Sequence, residues 1–355
     1  MNELHEKVGC IHMHSVYSDG SGNIEDIINT GISVGLDYLM FTDHFTLKPI
    51  EDGYEGWNDS LLTLFGYEHN DMNDENHYML FDIDKVMPKD YTAEEYVETA
   101  AKKGALGIIA HPDEIRSHLV SYPPYPWTDF DLEGFNSIEI WNQMSHWMEG
   151  LTRWNKIWRW MHPRSSMITP TDRILEKWDE LNLQRRISGI GGVDAHQFIY
   201  KLPIGLKVKI FPYKVLFKTI RTHLLFYEPL NPGDHVVDCK NRFINAIRSA
   251  RCFISNYKLG DAYGFRFWAE ANGKQYNMGQ TIKVPEEGVN LQVILPADAV
   301  IRFVYNGKRG GRVSGNSASR IVKEPGVYRV EVYQGDKGWI YSNHIRLQKE
   351  DSNES

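Results

Sequence analysis

Residues 9–26 read GCIHMHSVYSDGSGNIED. An apolar run leads straight into His12, Met13 and His14, and Asp19 follows inside a Gly- and Ser-rich turn. A buried strand has no use for two imidazoles at its end, whereas a metal site does. On an extended backbone, residues two apart face the same way, so both rings can reach one cation. The turn lets the loop fold back over the strand end and bring Asp19 with it. Neutral imidazole and carboxylate are good ligands for zinc, iron or manganese. Alone, a His-x-His pair is a weak signal, because such pairs occur by chance.

Its weight comes from recurrence further along the chain. Residues 8–11, 38–41, 61–67, 106–110, 137–141 and 187–193 read as strands. They run into Thr42-Asp43-His44, Glu68, His111-Pro112 and Asp194-Ala195-His196. Helical patterns fall between them. Ile24, Ile27, Ile28 and Ile32 share a face that stops at Gly35, and Thr92 with Glu95 forms a capping box for a helix ending at Lys103. A further helix opens at Thr169-Pro170 and carries Ile174, Leu175, Trp178 and Leu181. Strand-then-helix order implies an α/β fold with a parallel sheet and helices outside it. Polar residues just past the strands sit where barrels and open sheets place their sites. Ionisable groups gathered at one rim without partners are costly, and multivalent cations remove that cost.

After residue 255 the pattern changes. Residues 264–271, 289–295, 300–305, 326–333 and 339–347 read as strands, with Asn272-Gly273 and Asn306-Gly307 as turns. This predicts a barrel domain over 1–254 and a C-terminal antiparallel β-sandwich over 255–350. Lys308, Arg309 and Arg312 read as a solvated Gly-rich loop.

Composition narrows the function. The chain has 355 residues, 42% of them hydrophobic and 24% charged, as a globular protein of two or three domains would. A net charge of −8 argues against a general nucleic-acid backbone binder. Cys10, Cys239 and Cys252 fit neither a disulfide framework nor a thiolate site, and read as buried reduced thiols in the cytoplasm. The start lacks a basic and then apolar signal segment. No apolar run reaches the ~18 residues a spanning helix needs, so no membrane partner is expected.

The motifs His12 to Asp19 (HxHxxxxD), Thr42 to His44 (TDH), Glu68 at a strand end, Ala110 to Pro112 (AHP) and Asp194 to His196 (DxH) resemble those of the PHP superfamily. That superfamily is named for polymerase and histidinol phosphatase. The resemblance implies a distorted seven-stranded, TIM-like βα barrel with two or three divalent metal ions at its C-terminal mouth. It implies a first metal on His12, His14, Glu68 and Asp194. Glu68 would bridge to a second, completed by His111 and one further histidine. The third would take Asp19, His44 and His196. For the further histidine the family spacing favours His77, in ENHYMLFDID, over His69, which strand alternation turns away from Glu68. The segments NAIRSARCFISN, YNMGQ, PGVYRVEVY and WIYSNHIRL look like the tail of CehA/McbA-type metallohydrolases, a subgroup labelled after a carbamate hydrolase.

The expected function is therefore a metal-dependent phosphoesterase acting on a small phosphorylated substrate, mono- or diester. A hydroxide bridging the first two metals would attack phosphorus, and Asp19 or His196 would relay a proton. An amide, carbamate or carboxylate-ester hydrolase on the same site is one alternative, and a non-catalytic metal-stabilised binding module is another. Asn142, His146 and Arg116 are candidate substrate contacts, as are His162, Arg164 and Lys201. Asp43 either orients His44 from behind or caps a loop. Trp147, Trp154 and Trp158 share one helical face, which favours packing against the core or the second domain over an aromatic lid beside the site. His5, His118, His223, His235 and His344 show no pattern, and oligomeric state is not written in the sequence.

Overall fold

The computed structural model describes residues 4–116, 123–201, 205 and 207–349. His118 lies outside these residues, as does the side chain of Lys201. Strand β1 (His5–Met13) is buried from Val8 onward, and the fold is laid around it. It is followed by α1 (Ile24–Ser33), β2 (Tyr38–Phe41), the short α2 (Lys48–Glu51), β3 (Gly56–Asn58) and β4 (Leu61–His69). Next come β5 (Tyr78–Phe81), α3 (Ala93–Lys103), β6 (Leu106–Ile109) and β7 (Ser137–Asn142). Helices α4 (Gln143–Glu149), α5 (Lys156–Met161) and α6 (Asp172–Gln184) lead to β8 (Ser188–Ala195). A hairpin of β9 (Phe198–Lys201) and β10 (Lys207–Ile210) precedes α7 (Tyr213–Leu216), β11 (Ile220–Phe226), α8 (Val236–Arg248) and β12 (Cys252–Asn256).

Seven strands close a barrel in the order β1, β2, β4, β5, β6, β7, β8 and back to β1. Five of the contacts are parallel, and the two made by β5 are antiparallel. This departs from a uniform βα repeat. Only residues 70–77 join β4 to β5, too few for the crossover that a parallel pair requires. As a result β5 begins where its neighbours end, and His77 stands at the rim.

The helices follow their signals. Asn23 accepts the Asp26 N–H at the start of α1, and Ile24, Ile27 and Ile28 are buried. Thr92 and Glu95 close a reciprocal capping box on α3, and Gly104 ends it in the left-handed conformation with φ 71°. Helix α6 buries Ile174, Leu175, Trp178 and Leu181 against the barrel. All three cysteines are free and buried. The face proposed for Trp147, Trp154 and Trp158 does not exist. The helix stops at Gly150, and the chain restarts in α5, with Trp154 before it and Trp158 and Trp160 on it all exposed.

The remainder is strand: β13 (Arg266–Ala271), β14 (Lys274–Asn277), β15 (Thr281–Lys283), β16 (Val289–Tyr305), β17 (Lys308–Val322), β18 (Gly326–Gln334), β19 (Lys337–Ser342) and β20 (Ile345–Gln348). The pairings are antiparallel except β15 with β20. Phe267, Leu291, Val293, Ile301, Val330, Val332 and Trp339 fill their core. Residues 289–305 form one long strand rather than two, with its register interrupted between Ile294 and Ala299. Lys308, Arg309 and Arg312 lie on β17, not in a loop. Among the described residues that strand pairs only with β16, and it is exposed along most of its length, so nothing selects for apolar alternation.

The two parts share a sheet. The first half of β1 pairs with β11, β11 with β12, and β12 with β19. The boundary at 254/255 falls inside β12. Arg329 on β18 is buried and pairs with both Asp179 oxygens on α6 at 2.7 Å each, while His344 Nε2 donates to Asp179 Oδ1 at 2.6 Å. Asn343 hydrogen-bonds the N–H and C=O of Gly189 on β8 at 2.8 and 2.9 Å.

Candidate metal centre

Glu68 is the hub. It is the penultimate residue of β4 and is buried, and four imidazoles face its two oxygens. His12 Nε2 and His14 Nε2 each lie 3.1 Å from Oε2, while His77 Nδ1 and His111 Nε2 lie 2.8 and 3.3 Å from Oε1. Asp194 Oδ1 approaches His12 and His14 Nε2 at 3.5 and 3.6 Å. Towards solvent, His196 Nε2 meets Asp19 Oδ2 at 3.1 Å, and His44 Nε2 lies 3.8 Å from Glu68 Oε2.

The local backbone makes this convergence possible. His12 takes φ 70°, where the pairing of β1 with β8 shifts register between Ile11 and Met13. The imidazoles of His12 and His14, the second just past the end of β1, thus meet through a bulge rather than by simple alternation along an extended strand. His111 and Asp194 also have positive φ, at 24° and 49°. Three strained backbones among the ring-forming residues mark a constrained site. Gly20 turns the Asp19 loop back so tightly that a Cβ there would come within 2.3 Å of the His14 carbonyl oxygen.

The donors fall into overlapping groups whose ligand atoms lie within 4.8 Å of one another: His12, Glu68 and His111; His12, His14 and Asp194; His44, Glu68 and His77; His14, Asp19, His44 and His196. His14 therefore also joins the outer group, and His44 also reaches Glu68 and His77. All nine residues expected as ligands come together at one rim. Cations fit this donor set. His14 Nε2 is buried and faces carboxylate oxygens, yet makes no hydrogen bond. Burial, then His196 and His44, push the His14 pKa down to about 3, so the ring is neutral and offers a lone pair.

The remaining charges are balanced by proximity. Burial disfavours charge at His77, but Glu68 and Asp74 outweigh it and raise the pKa to about 10. His196 is likewise raised to about 9, burial being overcome by Asp19 and Asp194. Glu68 is buried, yet His12, His44 and His77 hold its carboxyl well below the usual range.

Other expected residues are placed differently. Asp43 does not touch His44. It accepts the Ser15 N–H at 2.7 Å and the Ser15 and Ser18 hydroxyls at 2.8 Å, and so caps the loop that carries Asp19. Asn142 donates to Glu139 at 2.8 Å and accepts the Ser145 N–H at 2.9 Å, so its amide is committed to the scaffold. Arg116 pairs with Glu114 and lies over Tyr125, whose ring stacks on His77 at 5.1 Å. His146 lines a crevice beside His111 and Glu139, with burial lowering its pKa to about 4. His69 points away from Glu68 into Phe45, Tyr67 and Tyr96.

Glu139 was not foreseen. It sits in the middle of β7, where it meets His12 Nδ1 at 3.1 Å and accepts the His111 N–H at 2.7 Å. It thus fixes the ring of one expected ligand and the backbone of another. The available signal was a lone carboxylate inside the apolar run SIEIW, since a fully buried carboxylate demands partners.

Residues 11–116 match the family model of the PHP domain. The match includes His12, His14, Asp19, His44, Glu68, His77 and His111, while Asp194 and His196 lie beyond it. Among solved structures, one similar chain is a two-domain protein from Bacteroides vulgatus ATCC 8482, described as containing a predicted PHP-like metal-dependent phosphoesterase. It is 15% identical, with 96% of this chain and 95% of that chain covered and a TM-score of 0.44. A second, proposed to be a metal-dependent phosphoesterase, comes from Bifidobacterium adolescentis ATCC 15703. It is 12% identical, with 53% of this chain and 87% of that chain covered and a TM-score of 0.36. Both similarities are too low to bear on function. No curated protein matches the chain.

Proposed function

We propose that the protein is a metal-dependent hydrolase that cleaves a phosphate mono- or diester. The observation that carries this reading is the Glu68 carboxylate, with two imidazoles close to each oxygen, a donor set with which Glu68 would hold two cations. Zinc, manganese or iron would suit the nine donors, in two or three positions. Such cations supply Lewis acidity and lower the pKa of water from ~15.7 toward ~7. The chain's own residues do the rest. Glu139 holds His12 in one orientation, and Asp43 holds the loop that brings Asp19 to the rim. The contact between His196 Nε2 and Asp19 Oδ2 lies on the solvent side of the cluster, where these two side chains would hold a cation or a proton for the departing oxygen of a substrate. Tail segments around β12, β18 and β19 support placement in the CehA/McbA-type subgroup. Three free buried cysteines suit a reducing compartment such as the cytoplasm.

The test is turnover of chromogenic phosphomonoesters and phosphodiesters, set beside aryl carbamates, by the wild type and by His12→Ala at matched metal content. Phosphate-ester turnover that falls below roughly 1% in the variant is expected, in keeping with loss of a metal-activated nucleophile. Unchanged turnover, or carbamates as the only substrates, would overturn the reading.

A further inference from the structure

Two loops beside the centre share a composition that the hydrolytic chemistry does not explain. One follows β7 and contains α5, and the other is the β9–β10 hairpin that follows β8. Both leave the ends of strands that carry the metal centre, and they are neighbours, because Trp147 at the base of the first packs on Phe211 just after the second at 4.5 Å. The hairpin adjoins the rim itself, where Phe198 stacks on His196 at 5.6 Å.

In a chain of net charge −8, residues 150–171 contain no Asp or Glu, and residues 195–227 contain none either. The same stretches hold large apolar side chains in water. Trp154 is 83% exposed, Ile157 64%, Trp158 52% and Met161 57%, while Phe198 and Ile199 are 44% and 43% exposed. Arg153, Lys156 and Lys209 are exposed among them. Arg153 lies 4.6 Å over the Trp154 ring, so that its charge and the indole face outward together. A soluble face has no reason to keep this arrangement, since such patches mark interaction sites.

We infer that this face docks on an anionic lipid bilayer, with the indoles and aliphatic side chains entering the headgroup layer and the cations pairing with lipid phosphates. Charge complementarity requires an anionic partner. The aliphatic residues Ile157, Met161 and Ile199 favour lipid over nucleic acid. Bases stack on aromatic rings and arginine but gain nothing from exposed aliphatics, whereas acyl chains gain from both. Trp and Phe with interleaved Lys and Arg, in a short segment too small to span, suit an interfacial seat. No helix among the described residues is long and apolar enough to cross a membrane, which leaves this mode untouched. The expectation of no membrane partner rested on the lack of a spanning run, and this inference departs from it.

The full chain is mixed with vesicles of phosphatidylcholine containing 30% phosphatidylglycerol (roughly the anionic fraction that attracts basic segments), with pure phosphatidylcholine vesicles and with a single-stranded oligonucleotide. Co-sedimentation with the anionic vesicles is expected, at least ~10-fold above pure phosphatidylcholine and weakened by salt. Trp154→Ala combined with Trp158→Ala should cut binding ~10-fold, and Phe198→Ser should cut it independently, with melting temperatures unchanged because all three side chains are exposed. His12→Ala should bind vesicles as the wild type does, which separates this inference from the hydrolase reading. Equal binding by the tryptophan variant, binding to the oligonucleotide alone, or a dimer that the tryptophan variant dissolves in place of vesicle binding would each overturn it.

Discussion

At the scale of single residues, the account turns on which side chains face Glu68. His77 and His69 flank the same strand pair, but only His77 reaches the carboxylate, at 2.8 Å. His77→Ala should therefore lose metal and activity. His69→Phe should keep both and melt no lower, because both ring nitrogens of His69 are buried without partners and removing such groups recovers ~1–3 kcal/mol of desolvation. Metal analysis of the two purified variants decides this, and metal loss in the His69 variant instead would reverse the assignment. Glu139→Gln should weaken metal affinity ~10–100-fold without abolishing the fold, the range seen when the group behind a ligating histidine is removed. The ligand candidates could be read in the sequence because their motifs carry chemistry at fixed spacing. Glu139 left only a faint signal, since one carboxylate in SIEIW also looks like ordinary strand alternation. The commitments of Asn142 could not be read, because a capping role and a substrate role use the same amide.

At the scale of elements, strand order and backbone shape decide the site. The antiparallel β5 places His77 at the rim, and the bulge at His12 turns one imidazole of β1 onto the hub. The strands and helices were legible from periodicity and caps, whereas the polar strand β17 was not, because an exposed strand carries no apolar pattern. Close packing behind the centre makes a sharp prediction. A Cβ at Gly192 would stand 1.5 Å from Glu139 Oε1 and 3.1 Å from the His12 Cβ. Gly192→Ala should therefore displace Glu139 and lower metal affinity ~10-fold or more, as loss of that supporting group would. Isothermal titration with zinc or manganese measures it, and wild-type affinity would show that Glu139 does not position His12.

At the scale of the whole molecule, the C-terminal strands are part of the barrel's support. Arg329 neutralises Asp179 and Glu331 in the buried seam between α6 and β18. Arg329→Met should cost ~3–5 kcal/mol in chemical denaturation, because it strands buried carboxylates. A loss under about 1 kcal/mol would mean the seam is not a true support. The metal centre also sets a pH signature. His77 and His196 are raised from 6.5 to about 10 and about 9, so their protonated pairs stabilise the metal-free fold fully below 6.5. That contribution disappears as pH rises through 9 to 10. The melting temperature of metal-free protein should fall over this window, and the fall should be shallower once cations replace the protons. A flat metal-free profile would contradict the charge pairing.

The central claim is that Glu68 is shared by two cations. Anomalous diffraction from crystals of the metal-loaded protein, collected at the absorption edge of the bound element, tests it directly. The account predicts two peaks about 3.5–4 Å apart, one on the His12 and His14 side of Glu68 and one on the His77 and His111 side. No peak at Glu68, or a single peak that leaves one of its oxygens facing unliganded imidazoles, would contradict it.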